Sequence, residues 1–324
     1  MNIFTPKKHI TVRACLLLLT ILLTLSACGS TDVPPPTDCE TVTYVDALGR
    51  NLSLPKHPAR VAALLGSYAD VWMLAGGEIC ATANDAWEDF DLSLENAVNI
   101  GGAHSPSLEL LLSAAPTLVL ASASTASNVK MQTVLESAGI SVVYFEVNCF
   151  DDYLTMLQLC TTLTERPDLY RQNGLELKAR IDAVIQAYAE STPTDTERRI
   201  LLLRASSATV KAKGSNGTIL GEMLRDMGCI NVADGDNDLL ENLSVEAVIR
   251  ENPYHVFAVT MGSDSDAARA SLENMINENP AWNQLEAIHC GRLHVMEKRL
   301  FNLKPNARWA EAYQKLYETL QNNR

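Results

Sequence analysis

Two blocks of short β-rich apolar runs alternating with longer helical patterns, separated by one long amphipathic stretch, leave this 324-residue chain few ways to fold. In the first block the strand-like runs are residues 60–65, 80–83, 117–121 and 141–147. Between them, residues 68–75, 108–114 and 128–138 set apolar side chains three and four apart, the helical period, with Gly76, Gly77 and Gly139 at helix ends. The second block repeats the alternation, with strands at 199–204, 255–260 and 293–297 and helices at 218–227, 245–250, 267–277 and 308–320. Strands spaced by helices of this length form parallel sheets with crossover helices. The expectation is an α/β protein of two doubly wound lobes, residues 41–160 and 197–324. Residues 161–196 join them through one helix, patterned over 168–189, opened by Pro167 and interrupted by Gly174. A turn-rich polar exit at 191–196 follows. A single rigid helix between lobes restricts hinge opening, and the space between the lobes is the expected ligand cleft.

The first 27 residues do not belong to that pattern. They carry Lys7, Lys8 and Arg13, no acid, and an apolar run over 14–25. A bilayer-spanning helix needs about 20 apolar residues, so the run suits the core of a secretory signal instead. It ends in Leu25-Ser26-Ala27-Cys28, which resembles a bacterial lipoprotein signal, in which the cysteine is lipidated and becomes the first residue after cleavage. Pro34, Pro35 and Pro36 make residues 28–40 an extended spacer. Acyl chains on Cys28 anchor such a protein to the cell membrane with no spanning helix, on its extracytoplasmic side.

Charge excludes one class of partner. Acidic residues outnumber basic ones 39 to 26, a formal net charge of −13, whereas a phosphate backbone is bound by clustered Lys and Arg. Nucleic acid is not an expected partner. Beyond Cys15 in the signal and Cys28, six cysteines remain (Cys39, Cys80, Cys149, Cys160, Cys229 and Cys290), with no CxxC spacing that signals a metal or redox site. Disulfides among them are open on either side. No Gly-x-Ser-x-Gly elbow, phosphate loop or His-Glu-x-x-His is present. An enzyme reading, a surface-anchored hydrolase using Asp85 or Glu88 as base, is the remote alternative, and no cofactor is expected.

Several segments carry a resemblance when read in order. They are Tyr44 to Pro55, Pro58 to Ala62, Gly101-Gly-Ala-His-Ser-Pro-Ser-Leu-Glu109, Ala115 to Leu120, Leu243-Ser-Val-Glu246, Asn252-Pro253, and Pro280 to Val295. Together the chain resembles the helix-linked substrate-binding lipoproteins of ABC importers that capture ferric siderophores, haem or cobalamin. The resemblance implies a small-molecule chelate as ligand, a permease as partner and no catalysis. It also implies that Glu109 and Glu246, one per lobe, dock on permease arginines. Locally, an acid beside Ser107 or Ser244 also suits a helix N-terminus.

Parallel α/β sheets bind ligands beyond the carboxyl ends of their strands, so the candidate contacts are the residues that follow each strand. In the first lobe these are Ser67, Tyr68, Asp85, Trp87, Ser122 and Asn148, with Phe90, Ser124 and Phe150 beside them. Arg204 and Thr260 follow strands of the second lobe, and Lys298, Arg299 and Phe301 follow its last strand. Arg204 ends the apolar run Ile200-Leu-Leu-Leu, an unusual place for a guanidinium that meets no anion. Tyr68, Trp87, Phe150 and Phe301 are expected to form an aromatic wall, and the cations favour an anionic iron chelate, with cobalamin or haem as alternatives. His104 is the histidine placed to reach a cleft. Lys211 and Lys213, in a turn-like segment, are equally consistent with solvated residues.

Overall fold

A computed structural model describes residues 40–322. The signal segment, Cys28, the proline spacer and Cys39 lie outside the described residues. Among the described residues no helix is long and apolar enough to cross a membrane. Cys80, Cys149, Cys160 and Cys290 are unbridged thiols.

The described chain opens with an antiparallel hairpin, β1 (Thr41–Val45) and β2 (Asn51–Pro55). Asp46 holds its turn, accepting from the Leu48 and Arg50 amides and from the Arg50 guanidinium. Desolvation raises the Asp46 carboxyl, but the Arg50 hydrogen bonds outweigh it and leave it below its ordinary range. The first lobe is a five-stranded parallel sheet ordered β5-β4-β3-β6-β7. Its strands are β3 (Val61–Ala63), β4 (Ile79–Thr82), β5 (Val98–Asn99), β6 (Leu118–Ser122) and β7 (Ser141–Phe145). Its helices are α1 (Gly66–Leu74), α2 (Asp85–Glu88), α3 (Leu108–Ser113), α4 (Ala126–Lys130) and α5 (Gln132–Ser137). Strand order reverses between β3 and β6, which opens a crevice at their carboxyl ends.

Helix α6 (Phe150–Leu163) then leads into the connection, α7 (Pro167–Tyr170), a π-turn (Arg171–Leu175) and α8 (Glu176–Glu190). The π-turn contains Gly174, where a Cβ would come to 3.0 Å from Leu154 Cδ2 of α6. The second lobe has the parallel order β10-β8-β11-β12, from β8 (Arg199–Ala205), β10 (Ile230–Asn231), β11 (His255–Thr260) and β12 (Leu293–Met296). A short strand β9 (Val210–Ala212) runs antiparallel to β8 at its carboxyl end. Helices α9 (Ile219–Asp226), α10 (Asn237–Asn242), α11 (Val245–Glu251), α12 (Ser265–Glu278), α13 (Glu286–His289), α14 (Lys298–Phe301) and α15 (Trp309–Gln321) complete it. Here the order reverses between β8 and β11.

Side-chain alternation along β8 divides the second lobe's core. Leu201, Leu203 and Ala205 pack on one face with Leu272 of α12 and Val248 of α11. Ile200 and Leu202 turn to the other face and join a cluster that runs through Leu177, Ile181 and Tyr188 of α8 into the first lobe's Val61, Leu120 and Trp72. One continuous apolar core therefore passes through the linking helix. Opening the lobes would expose part of it, at roughly 25 cal/mol per Å².

Candidate functional site

Beyond the strand ends, α14 and the 3₁₀ turn Asn306–Arg308 fold back from the second lobe onto α1 and α2 of the first. Lys298 Nζ meets Asp89 Oδ1 at 2.6 Å. Arg299 stacks over the Phe90 ring at 4.1 Å and lies 3.5 Å from Asp70 Oδ2. Asn306 donates from Nδ2 to the Ser67 carbonyl (2.9 Å) and to Asp70 Oδ2 (2.8 Å). Burial raises the Asp70 carboxyl against the pull of Asn306 and Arg299. These contacts make a polar seam between lobes. Lys298 and Arg299 each pair with a first-lobe acid. Phe301 is 2% exposed and belongs to the core, so it does not wall a cleft.

The first-lobe side is similarly engaged. Tyr68 is 1% exposed and its hydroxyl donates to the Phe145 carbonyl at 3.1 Å, so the ring packs in the core instead of walling a cleft. Phe150 is also buried, edge-on to Trp309 of α15 at 5.8 Å. Ser67 and Ser122 are buried, and the Ser122 hydroxyl pairs with that of Ser124 at 3.1 Å. Both oxygens of Asp85 accept from the Gly66 amide (2.9 and 3.0 Å), closing the start of α1. Gly66 is required there, since a Cβ would lie 2.4 Å from the Ala86 nitrogen. Burial raises the Asp85 carboxyl. Asn148 is half-buried and donates to Glu146 at 3.2 Å. Trp87 differs from all of these: half-buried on α2, which follows β4, it is absent from the three apolar clusters of the described residues.

On the second lobe, half-buried Arg204 shares a sheet face with Ile200 and Leu202. Register places Lys211 of β9 directly across from it, and Lys213 follows on the same face. The Arg204 Nε is buried without a hydrogen-bond partner. Burial lowers the Lys213 ammonium, and the charges of Arg204 and Lys211 lower it further. The three side chains have no ion-pair partner among the described residues. Thr260 is buried at the end of β11, and Met261 beyond it is 43% exposed. His104 is exposed on the loop before α3.

Sequence reasoning missed Lys304. It lies on the turn between α14 and α15, its Nζ is 5.7 Å from the Tyr68 ring, and first-lobe Asp85 and Glu146 act on its charge. Nothing in Leu303-Lys-Pro305 separates it from a solvated lysine, because its place depends on the seam.

Glu109 and Glu246 occupy matching positions. Each is exposed at the second residue of its helix, α3 or α11, after a serine whose hydroxyl accepts from the amide two residues beyond the acid's predecessor: Ser107 from Leu110, Ser244 from Ala247. Each helix precedes the strand across the order reversal, so both acids begin helices at the strand-carboxyl side.

The comparisons agree with this architecture. Residues 61–300 match the family model described as periplasmic binding protein. The chain is 19% identical over 318 residues to YhfQ of Bacillus subtilis (strain 168), named as an ABC transporter substrate-binding lipoprotein, covering 93% of this chain and 96% of that one. The crystal structure of IsdE from S. aureus complexed with heme is similar at a TM-score of 0.68 and 14% identity, over 81% of this chain and 98% of that one. The catecholate-siderophore binding protein VctP of Vibrio cholerae is similar at 0.66 and 14% identity, over 87% of this chain and all (100%) of that one. With its two parallel sheets, linking helix and matched family model, the chain belongs to the periplasmic binding protein family and is a substrate-binding protein of an ABC importer, not an enzyme.

Proposed function

We propose that this protein is a lipid-anchored receptor, held to the outer side of the cell membrane through Cys28, that captures an anionic iron chelate between its lobes and delivers it to the importer's permease. The observation that carries the reading is the strip Arg204, Lys211 and Lys213: three cations on one sheet face with no carboxylate partner among the described residues, in a chain of net charge −13. A guanidinium held at a strand end suits bidentate recognition of carboxylate or catecholate oxygens. Half-buried Trp87 of the first lobe offers a flat apolar ring and an indole N–H able to donate. Half-buried Asn148 is a secondary contact at the rim. YhfQ is a named substrate-binding lipoprotein and VctP is a catecholate-siderophore binding protein, and both likenesses support the reading. Glu109 and Glu246 form a two-point acidic docking site whose charge sets orientation on the permease.

The test is titration of the purified protein, followed by tryptophan fluorescence, with a ferric tricatecholate, ferric citrate, an uncharged ferric trihydroxamate, haem and cobalamin. Saturable quenching by an anionic ferric chelate, weakened about tenfold or more in Arg204→Gln, is the expected result. Response only to cobalamin or to the uncharged chelate, or to none, overturns it.

A further inference from the structure

We propose that Lys304, carried by the second lobe, is a ligand-binding residue of the first-lobe half of the cleft and selects chelates that present an oxygen anion there. The inference rests on the receptor reading above and adds a residue and a charge requirement to it.

The geometry is that of a donor held ready. Lys304 is part-buried, yet its ammonium has no hydrogen bond or ion pair among the described residues, although it lies within electrostatic reach of two acids. Those acids are engaged elsewhere: Asp85 receives the Gly66 amide with both oxygens, and Glu146 receives Asn148. The backbone beneath the lysine is fixed. Arg299 Nη1 donates to the Lys304 carbonyl at 2.8 Å, buried Pro305 follows, and Asn306 is tied to Ser67 and Asp70. The ammonium itself lies 5.7 Å from the centroid of the Tyr68 ring, a weak cation–π contact that leaves its hydrogen-bond donors unmet.

Burying an ammonium without a partner is unfavourable, and burial lowers the affinity of this one for its proton. A ligand oxygen anion supplies the missing partner, with three donors available to meet it. The lysine also offsets Asp85 and Glu146, which would otherwise turn a negative wall toward an anionic guest. Because the donor belongs to one lobe and its surroundings to the other, a ligand held by it ties the lobes together.

The experiment compares wild type, Lys304→Gln and Lys304→Arg, each titrated with ferric citrate and with an uncharged ferric trihydroxamate, and each melted alone and with citrate chelate. Lys304→Gln should lose about tenfold or more in affinity for ferric citrate and keep its own melting temperature, and Lys304→Arg should restore most of the affinity. If wild type binds ferric citrate and Lys304→Gln binds it within about twofold, the assignment of Lys304 is wrong and the receptor reading stands. If wild type binds no anionic chelate, the receptor reading fails and takes this inference with it. A Lys304→Gln protein that melts well below wild type and is not rescued by arginine identifies a structural lysine, which also overturns the assignment.

Discussion

Replacing Lys298 by methionine separates a seam residue from a ligand contact. The Lys298–Asp89 pair spans 2.6 Å, with the two side chains 19% and 29% exposed. At that separation and an effective dielectric of about 20, the Coulomb attraction is roughly 6 kcal/mol before desolvation. Exposed pairs retain about 0.2–1 kcal/mol net, and removing one partner of a fully buried pair costs about 3–5 kcal/mol. A pair covered to this degree falls between, at about 1–2 kcal/mol. For a folded unit of this size, thermal unfolding followed by circular dichroism should show Tm lower by roughly 2–3 °C. Asp89→Ala should cost a similar amount, and the double variant should lose less than the sum, since both changes remove one interaction. Affinity for an anionic chelate should stay within about twofold of wild type. An unchanged Tm together with a tenfold loss of affinity would refute the reasoning and return Lys298 to the ligand.

Three further outcomes follow from the same contacts. Gly66→Ala should lower the urea midpoint by the equivalent of about 1–3 kcal/mol, because its Cβ meets the α2 backbone rather than a movable side chain; an unchanged midpoint would show that α2 shifts freely. His294, 3.0 Å from His255, is pushed down to about 4 by burial first and by the Arg292 charge second. Being depressed in the fold, its contribution is complete above the unfolded value near 6.5 and is lost as pH falls toward 4, where the unfolded chain binds the proton first. The urea midpoint should therefore drop across that window in wild type and drop less in His294→Gln, and equal slopes would contradict the assignment. The double variant Glu109→Ala, Glu246→Ala should bind chelate as wild type does while failing to support uptake in whole cells; lost binding in vitro would place those acids in the pocket.

The alternation that announced two α/β lobes was legible because buried parallel strands such as Leu118–Ser122 and Arg199–Ala205 are near-continuous apolar runs. β5 and β10 have two residues each and β9 three, too few to show a period. Helix α6 was readable and overlooked: Phe150, Tyr153, Leu157 and Cys160 recur at helical spacing, and reading Phe150 as cleft rim hid it. Arg204 could be singled out from sequence because a charge closing an apolar strand is a local anomaly. Lys298 and Arg299 had the same local appearance, but their partners Asp89 and Asp70 lie 209 and 229 positions away. Lys304 is the converse case, ordinary in sequence and unusual only once the seam has folded.

The most direct measurement is anomalous diffraction at the iron edge from crystals grown with a saturating ferric tricatecholate. A single peak between the carboxyl ends of the two sheets, on the face that carries Arg204 and Lys213 and beside Trp87, is the predicted result. A peak elsewhere on the molecule, or none despite saturation in solution, would contradict capture between the lobes.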